Sequence, residues 1–343
     1  MRADVDLHPI AAQLVRPLRL IGKPIRAWRG HAASFHAACT DLTLDAWRPA
    51  DFPGVLAGQA ASELIAQRLR SPSPTMICRL GTVETAAMAA ATTPLTPGNA
   101  WRLASGHPLV RDIGIHGGTL HALSNNAGFF PHTPAAGRGF VERMLADLRE
   151  VDVLGTWCKQ EVCFADQLAP AARVRFRDLE PYMHAQPWSW WLAGKRVLVV
   201  HPFTDTIASQ YAKRERLFDD PHVLPEFELL LVRAVQSIAG NRTDFATWFD
   251  ALAHMEAQIT KLDFDVALIG CGAYGLPLAA HVKRLGRKAV HLGGQTQLLF
   301  GIKGKRWETG HEQIRSLFNS HWVYPSETER PAGLARVEGG AYW

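Results

Sequence analysis

The sequence predicts an α/β protein built on a Rossmann-like, mostly parallel sheet with helices on both faces. Three short apolar runs have the length and branching of buried parallel strands, and a helical pattern follows each of them. These runs cover residues 75–78, 197–200 and 266–269. Strands that alternate with helices indicate a parallel sheet, because a parallel pair needs a long crossover connection. With 343 residues, 47% of them hydrophobic, the chain can bury a large core as one domain or as two lobes.

Composition and charge exclude several classes of protein. The formal net charge of +5 is mild, and no dense Lys/Arg block or RNA-binding signature accompanies it. We therefore expect anionic small molecules or a membrane surface as partners, and no nucleic acid. No apolar segment approaches the roughly 20 residues that span a bilayer. The five cysteines contain no CxxC pair and follow no secretory leader, which favours a reducing cytoplasm.

Three regions are predicted along the chain. Residues 1–52 form a basic N-terminal extension, residues 53–307 a Rossmann-like domain, and residues 308–343 a C-terminal tail that packs on this domain. In the extension, apolar residues are interleaved with Lys and Arg, and two prolines interrupt any long helix. Such an arm could make a peripheral contact with the inner face of the cell membrane, or it could pack on the protein's own body. We favour the second interpretation.

The first predicted strand, residues 75–78, leads directly into a turn with site-like chemistry. A helix over residues 62–69 precedes the strand, and an alanine-rich helix follows the turn. Ligands of open α/β sheets bind at the carboxyl ends of strands, where Arg79, Gly81 and Glu84 lie. Arg79 can bind a phosphate in a bidentate manner, and Glu84 can bind a metal ion or a sugar hydroxyl. The alternative is a structural ion pair between the two side chains.

The middle of the chain supplies further candidates. Residues 101–131 look rich in loops, and Asn125 and Asn126 stand where a turn or a hydroxyl-binding loop would need them. Asp152, at the start of a predicted strand over residues 151–157, is a candidate general base, although spacing does not select it over Glu161 or Asp166.

The second half of the chain is predicted to contain another strand end and two scaffold helices. His201 follows the strand 197–200, where it could act as an acid, a base or a phosphate ligand, or could be a structural residue. Apolar residues at helical spacing predict amphipathic helices over 227–238 and 245–259. A helix is also predicted from Thr204.

The segment 264–294 reads as a βαβ unit with a glycine-rich first turn. Gly270, Gly272 and Gly275 match the dinucleotide fingerprint, and a helix N-terminus after such a turn favours an anion. A dinucleotide enzyme would want an acid at the end of the second strand, where His291 stands, so we expect a phosphate-bearing ligand other than NAD. The alternatives are glycines that only allow tight packing, and a nicotinamide or flavin site.

A basic loop follows the βαβ unit. Lys303, Lys305 and Arg306 lie among glycines, a pattern that suits a clamp on a diphosphate. The alternative is a solvated basic loop.

Several segments follow one another in a specific order along the chain: MICRLGTVE (76–84), LSNNAGFFP (123–131), VDVLGTW (151–157), VLVVHPF with SQYAKRERLF (197–218), and the βαβ unit through GIKGKRW (266–307). In this order they resemble the GT-D-type glycosyltransferases and related proteins of bacterial polysaccharide clusters. The resemblance implies a Rossmann-like enzyme that moves a sugar from a nucleotide-diphosphate donor to a glycan or lipid-linked acceptor.

The resemblance also bears on cofactors. The family motif D-x-E is associated with a divalent metal such as Mn²⁺ or Mg²⁺. Glu84 matches its second acidic position, whereas Thr82 stands at the first, so one expected ligand is missing. Two other functions stay open: an NAD(P)-dependent oxidoreductase on the same glycine turn, and a catalytically inert protein that binds nucleotide sugars.

Overall fold

The computed structural model describes residues 54–105, 113–309, 311–337 and 340–343, and the predicted extension over 1–52 lies outside this part of the chain. The described residues contain one seven-stranded sheet of order β3-β2-β1-β7-β6-β4-β5, and every strand pair in it is parallel. The predicted Rossmann-like α/β fold is therefore confirmed. The strands are β1 (Thr75–Arg79), β2 (Val153–Thr156), β3 (Ala172–Arg175), β4 (Arg196–His201), β5 (Glu228–Arg233), β6 (Val266–Ile269) and β7 (Lys288–His291).

Helices cover both faces of the sheet. One face carries α2, α4, α5, α7 and α8, and the other carries α1, α6 and α9. The helices are α1 (Gln59–Arg70), α2 (Thr82–Thr92), α3 (Pro97–Ser105), α4 (Gly117–Ala127), α5 (Pro134–Asp147), α6 (Thr204–Tyr211), α7 (Trp248–Thr260), α8 (Gly275–Arg284), α9 (Thr296–Leu299), α10 (Lys305–Glu308) and α11 (Glu312–Arg315).

Burial on both faces explains the continuous apolar strands. In β1, Met76 and Cys78 belong to the apolar cluster on one side of the sheet, and Ile77 belongs to the cluster on the other side. All three side chains are fully buried. Burying a side chain of this size contributes roughly 1.5–3 kcal/mol, so the sheet needs apolar residues at successive positions and not only at alternate ones.

One predicted helix is a strand. The pattern over residues 227–238 selects positions at helical spacing, but Glu228–Arg233 forms β5, which pairs with β4 over six residues. The continuous run from Leu229 to Val232 fits a strand as well as a helix, and short apolar runs are ambiguous in period. Pairing with the exposed edge of β4 decides the outcome.

Within the region 101–131, most of the residues that the structure describes are helical and not in loops, because α3 extends to Ser105 and Gly117–Ala127 forms helix α4. The side chain of His116 accepts a hydrogen bond from the N–H of Gly118 and so caps the start of α4. Gly128, at φ 80°, ends the helix in a left-handed conformation that favours glycine. Asn125 and Asn126 consequently lie in the last turn of a helix, not in a loop.

The C-terminal tail contributes to the core on the face of α1 and α6. Trp322 and Trp343 are buried there, and Val323 forms a parallel bridge with Ile302 of the domain. Glu329 is also buried, at the start of α6. No helix among the residues described is long and apolar enough to cross a membrane.

The connections place a crevice at the carboxyl ends of the central strands. Helices α2 and α8, which follow β1 and β6, pack on one face of the sheet, whereas α6 and α9, which follow β4 and β7, pack on the other. Where the connections from neighbouring strands leave toward opposite faces of the sheet, a crevice remains between them. Open α/β sheets bind ligands in such a crevice.

Candidate functional site

A cavity of about 770 Å³ lies at the carboxyl ends of β1, β7, β6 and β4. Its volume is within the usual range of roughly 300–1,000 Å³ for small-molecule sites. The opposite wall is formed by the end of α4 and by the segment 235–238 after β5, and one side is closed by Tyr342 and Trp343 of the tail. Eight predicted site residues line it: Arg79, Gly81, Glu84, Asn126, His201, Gly270, Gly272 and Arg306.

Arg79, the last residue of β1, is the central cation of the cavity. Its guanidinium carbon lies 4.8 Å from the ring centre of Trp157 and 5.1 Å from that of Phe176. The Trp157 indole is fixed because its Nε1–H donates to the carbonyl of Leu80 at 2.9 Å. The Nε of Arg79 is buried without a hydrogen-bond partner among the residues described. The predicted ion pair with Glu84 is not formed.

Aromatic contacts hold the Arg79 guanidinium in place but leave its hydrogen-bond donors unused. A cation over an aromatic face contributes about 0.5–2 kcal/mol, whereas a buried polar group without a partner costs about 1–3 kcal/mol. An anion in the cavity would satisfy these donors with charge-assisted hydrogen bonds. The arrangement of Arg79 is therefore suited to binding an anion.

Two glycine turns next to Arg79 present unused backbone donors. Within the described ranges, the N–H groups of Cys271, Gly272 and Ala273, between β6 and α8, donate to no acceptor. The same holds for Gly293 and Gly294 after β7. Successive N–H groups at a helix start form a concave, positively polarised site that suits a phosphate.

The glycines of these turns are required by close contacts. Gly272 and Gly293 have φ values of 58° and 63°, which favour glycine. A Cβ on Gly293 would lie 2.9 Å from Nη1 of Arg79, so the guanidinium rests directly on this turn. A Cβ on Gly270 would lie 2.6 Å from the carbonyl oxygen of Gly293, so the two turns touch each other.

Glu84 faces the cavity from the first turn of α2, with 9% of its surface exposed. Its carboxyl group folds back over Gly81, where a Cβ would collide with it. Burial raises the pKa of this carboxyl group, against the opposing effects of its own backbone N–H and of Arg79. Glu84 therefore lies over the start of its helix and is a candidate ligand for a hydroxyl.

The residues of the cavity do not fit a divalent cation held by the protein. Glu84 is the only Asp or Glu side chain among the described lining residues. No group of three His, Cys, Asp or Glu side chains in the described ranges could hold a metal ion. Since Mg²⁺ and Mn²⁺ favour several oxygen ligands, the expected site at Glu84 lacks its other ligands.

His201, at the end of β4, is a hydrogen-bond donor and not a base. Its Nδ1 accepts the backbone N–H of Phe203 at 3.0 Å, and burial lowers its pKa to about 3. The neutral ring with an occupied Nδ1 lone pair carries its proton on Nε2. The predicted role as a general base is therefore disfavoured, whereas donation from Nε2 to a ligand oxygen is possible.

His291, at the end of β7, has the opposite tautomer. Its Nδ1 lies 3.1 Å from the carbonyl oxygen of Ile269 and must donate to it, which leaves the lone pair on Nε2. Burial, with the nearby Arg79 cation as a second cause, lowers the pKa of His291 to about 4. Its ring packs on Gly275, where a Cβ would collide with it. His291 is thus a neutral acceptor in the cavity.

The side wall of the cavity comes from the tail. Nη1 of Arg306 donates to the hydroxyl of Tyr342 at 2.9 Å, and the guanidinium lies over the same ring. Trp343 packs edge-on against Phe203, and its buried Nε1 has no hydrogen-bond partner among the residues described. An aromatic wall with a polar N–H suits a ring-shaped ligand group.

Asp152 is not a residue of the cavity. It precedes β2 and therefore lies at the amino-terminal edge of the sheet, opposite the site. Its Oδ2 accepts the N–H of Met76 at 2.8 Å and lies 2.9 Å from Nζ of Lys283. The prediction of a general base at Asp152 is wrong for this geometric reason. Glu161 is structural as well, since it accepts the backbone N–H groups of Trp157 and Cys158.

Three further predicted residues are near the site without lining it. Asn125 donates to Asn126 and to the carbonyl of Arg336, so it holds the tail. Lys303 packs over the ring of Tyr324, and so the predicted clamp of several cations is reduced to Arg306. Gly275 provides room for the ring of His291.

Sequence patterns missed several lining residues. Trp157 and Phe176 follow β2 and β3, and their strand-end position is a signal that could have identified them. His291, the last residue of β7, carries the same positional signal, although the dinucleotide fingerprint treats its position only as that of a missing acid. Tyr342 and Trp343 carry no such signal, because their place in the wall depends on how the tail folds.

Comparisons of the chain with protein-family models, with curated proteins and with solved structures found no match. The resemblance to the GT-D-type glycosyltransferases therefore rests on the sequence segments alone.

Proposed function

We propose that the protein is a glycosyltransferase that uses a nucleotide-diphosphate sugar as donor and a glycan or lipid-linked acceptor, as in the assembly of bacterial surface polysaccharides. The observation that carries the proposal is Arg79, a fixed guanidinium with unused donors, next to two turns of free backbone N–H groups. This set of donors matches a diphosphate better than a single small anion, because the turns after β6 and β7 are adjacent.

The remaining lining residues are suited to the other parts of such a donor. Arg306 and the aromatic wall of Tyr342 and Trp343 could hold a nucleoside, and Asn126 and Glu84 could bind sugar hydroxyls. Negative charge develops on the departing diphosphate during transfer, so preorganised positive groups lower the barrier most at this point. Arg79 and the two turns would supply that stabilisation without a metal ion held by protein carboxylates.

Donor cleavage by the full chain tests this function. The protein is incubated with a panel of UDP- and GDP-sugars, with EDTA or Mn²⁺, and release of the nucleoside diphosphate is measured with and without glycan and lipid-linked acceptors. We expect release with at least one donor, and a loss of about 100-fold in Arg79→Gln, as for removal of one transition-state donor. Arg196→Gln is the matched control, because Arg196 lies at the opposite end of a strand and pairs with Asp263.

Two outcomes would replace the proposal. Tight binding of UDP or GDP without cleavage of any donor would indicate a nucleotide-sugar-binding protein that is catalytically inert. Binding of NADH with quenching or enhancement of its fluorescence, and no response to nucleoside diphosphates, would indicate an oxidoreductase.

A further inference from the structure

His291 is the group of the cavity whose chemistry the sequence left unassigned. Its Nδ1–H is held by the carbonyl of Ile269 on the neighbouring strand β6, in register with it. Nε2 makes no hydrogen bond with any described residue. A histidine with one nitrogen fixed as donor and the other free as acceptor has the arrangement of a proton acceptor.

Burial is the main cause of the lowered pKa of His291, and two positive features next to the ring act in the same direction. The ring packs against Gly275, the first residue of α8, and a helix N-terminus disfavours a cation. The second feature is Arg79. Cys78 of β1 lies opposite His291 of β7, and Arg79 is the next residue of β1. The guanidinium of Arg79 rests on Gly293, two residues after His291.

The other titratable groups around His291 do not offset these features. Cys78 on β1 and Cys271 after β6 are buried, which raises the pKa of both thiols and keeps them uncharged at neutral pH. His201 on β4 is neutral, for the reason given above. Glu84 lines the same cavity, but its carboxyl group folds back over Gly81, and burial raises its pKa.

We propose that His291 Nε2 accepts the proton of the incoming acceptor hydroxyl, and that a diphosphate bound to Arg79 is what makes it basic enough to do so. This inference rests on the proposed function. In the free protein, Arg79 and the start of α8 act on His291 without a compensating anion. A bound diphosphate adds negative charge beside both and favours the imidazolium. Donor binding would thus switch on the base.

In the transfer step, the acceptor oxygen forms a bond to the anomeric carbon of the donor sugar. The bond between that carbon and the diphosphate oxygen breaks, and its electron pair stays on the diphosphate. The hydroxyl proton moves to Nε2 of His291, which becomes an imidazolium stabilised by the nearby diphosphate. After the products leave, the imidazolium loses its proton to water and the free, neutral state returns.

The test measures the tautomer and the pKa of His291 by NMR of the full chain labelled with ¹⁵N-histidine. The resonance is assigned by its absence in His291→Gln. In the free wild type we expect the Nδ1–H tautomer and a pKa well below the ordinary value. Saturation with UDP or pyrophosphate should raise this pKa by one unit or more. Arg79→Gln should raise it in the free protein, whereas Arg79→Lys, which keeps the charge, should not.

Each result decides the inference. A pKa of His291 that stays unchanged in Arg79→Gln, or in the wild type saturated with UDP, would overturn it, as would the opposite tautomer. If neither UDP nor pyrophosphate binds, the proposed function fails. The pKa of His291 in Arg79→Gln, compared with that in the free wild type, still decides whether Arg79 acts on His291. If a donor is turned over, His291→Gln should lose about 100-fold in turnover with UDP affinity unchanged, and undiminished turnover would remove the base.

Discussion

Two helix N-termini at the same edge of the sheet differ in whether a carboxylate of the protein binds them. At α6, the carboxylate of Glu329 from the tail accepts the N–H of Asp205 at 2.7 Å, the N–H of Thr206 and the Thr206 hydroxyl. At the cavity, the turn before α8 and the guanidinium of Arg79 have no such acceptor within the described part of the chain. The protein supplies its own anion at one place and leaves the other open.

The comparison teaches which positive sites are structural and which are available to a ligand. Arg233 next to α6 pairs with Asp205 at 2.5 Å, so cations there are also neutralised. Arg79 packs on two aromatic rings and pairs with no acidic side chain in the described part of the chain, although an unpaired buried donor costs about 1–3 kcal/mol. Groups kept in an unfavourable state of this kind cluster at functional sites.

The largest effect on stability is expected at the filled site. Glu329→Ala would leave the N–H groups of Asp205 and Thr206 and the Thr206 hydroxyl unpaired, and we expect the free energy of unfolding to fall by about 3 kcal/mol. Urea unfolding followed by circular dichroism measures this. Glu327→Ala, an exposed residue of the same turn, is the control and should change stability by less than about 0.5 kcal/mol. Equal effects of the two changes would mean that Glu329 is not the anion of α6.

A smaller effect is expected where the open site is packed most closely. Gly275→Ala would drive a methyl group into the ring of His291, and we expect a loss of about 1–3 kcal/mol in unfolding free energy. Gly117→Ala, at the first residue of α4 with no atom near the new methyl group, is the matched control. Wild-type stability of Gly275→Ala, measured by the same urea titration, would show that His291 can move away without cost.

A third effect depends on pH and concerns β4, the strand that leads into α6. Burial lowers the pKa of His201 to about 3, from a reference value of 6.5. As the pH falls below 6.5 the unfolded chain takes up the proton first, so folded stability is lost between pH 6.5 and about 3. When the pH is lowered from 7.5 to 5.5, the free energy of unfolding of His201→Gln should fall by about 1 kcal/mol less than that of the wild type. Parallel pH profiles of the two proteins would contradict this.

The strand-end part of the site could be predicted from the sequence because it depends on local order. A buried strand followed at once by Arg79, or by Gly270 and Gly272, must place these residues at the carboxyl edge of a parallel sheet. The same logic, applied to Asp152, would have excluded it, since it precedes its strand. Residues at the strand end are therefore the predictable half of this cavity.

The other half depends on contacts that local patterns do not contain. Residues 228–233 become a strand because β4 offers a free edge, although helical spacing fits them too. Trp343 and Glu329 lie next to the sheet only because the C-terminal tail folds back onto the domain. The tautomer of His291 depends on a carbonyl of another strand, at Ile269. Such features follow from the tertiary fold and not from spacing along the chain.

The most direct test of the open site is calorimetric titration of the full chain with UDP, GDP and pyrophosphate in the presence of EDTA. We expect the wild type and Arg196→Gln to bind at least one of them, and Arg79→Gln to bind at least 10-fold more weakly, since one charge-assisted contact contributes about 1.5–3 kcal/mol. Without ligand, the free energy of unfolding of Arg79→Gln should stay within about 1 kcal/mol of that of the wild type. Equal binding by Arg79→Gln, or no binding by the wild type, would contradict an anion site at Arg79.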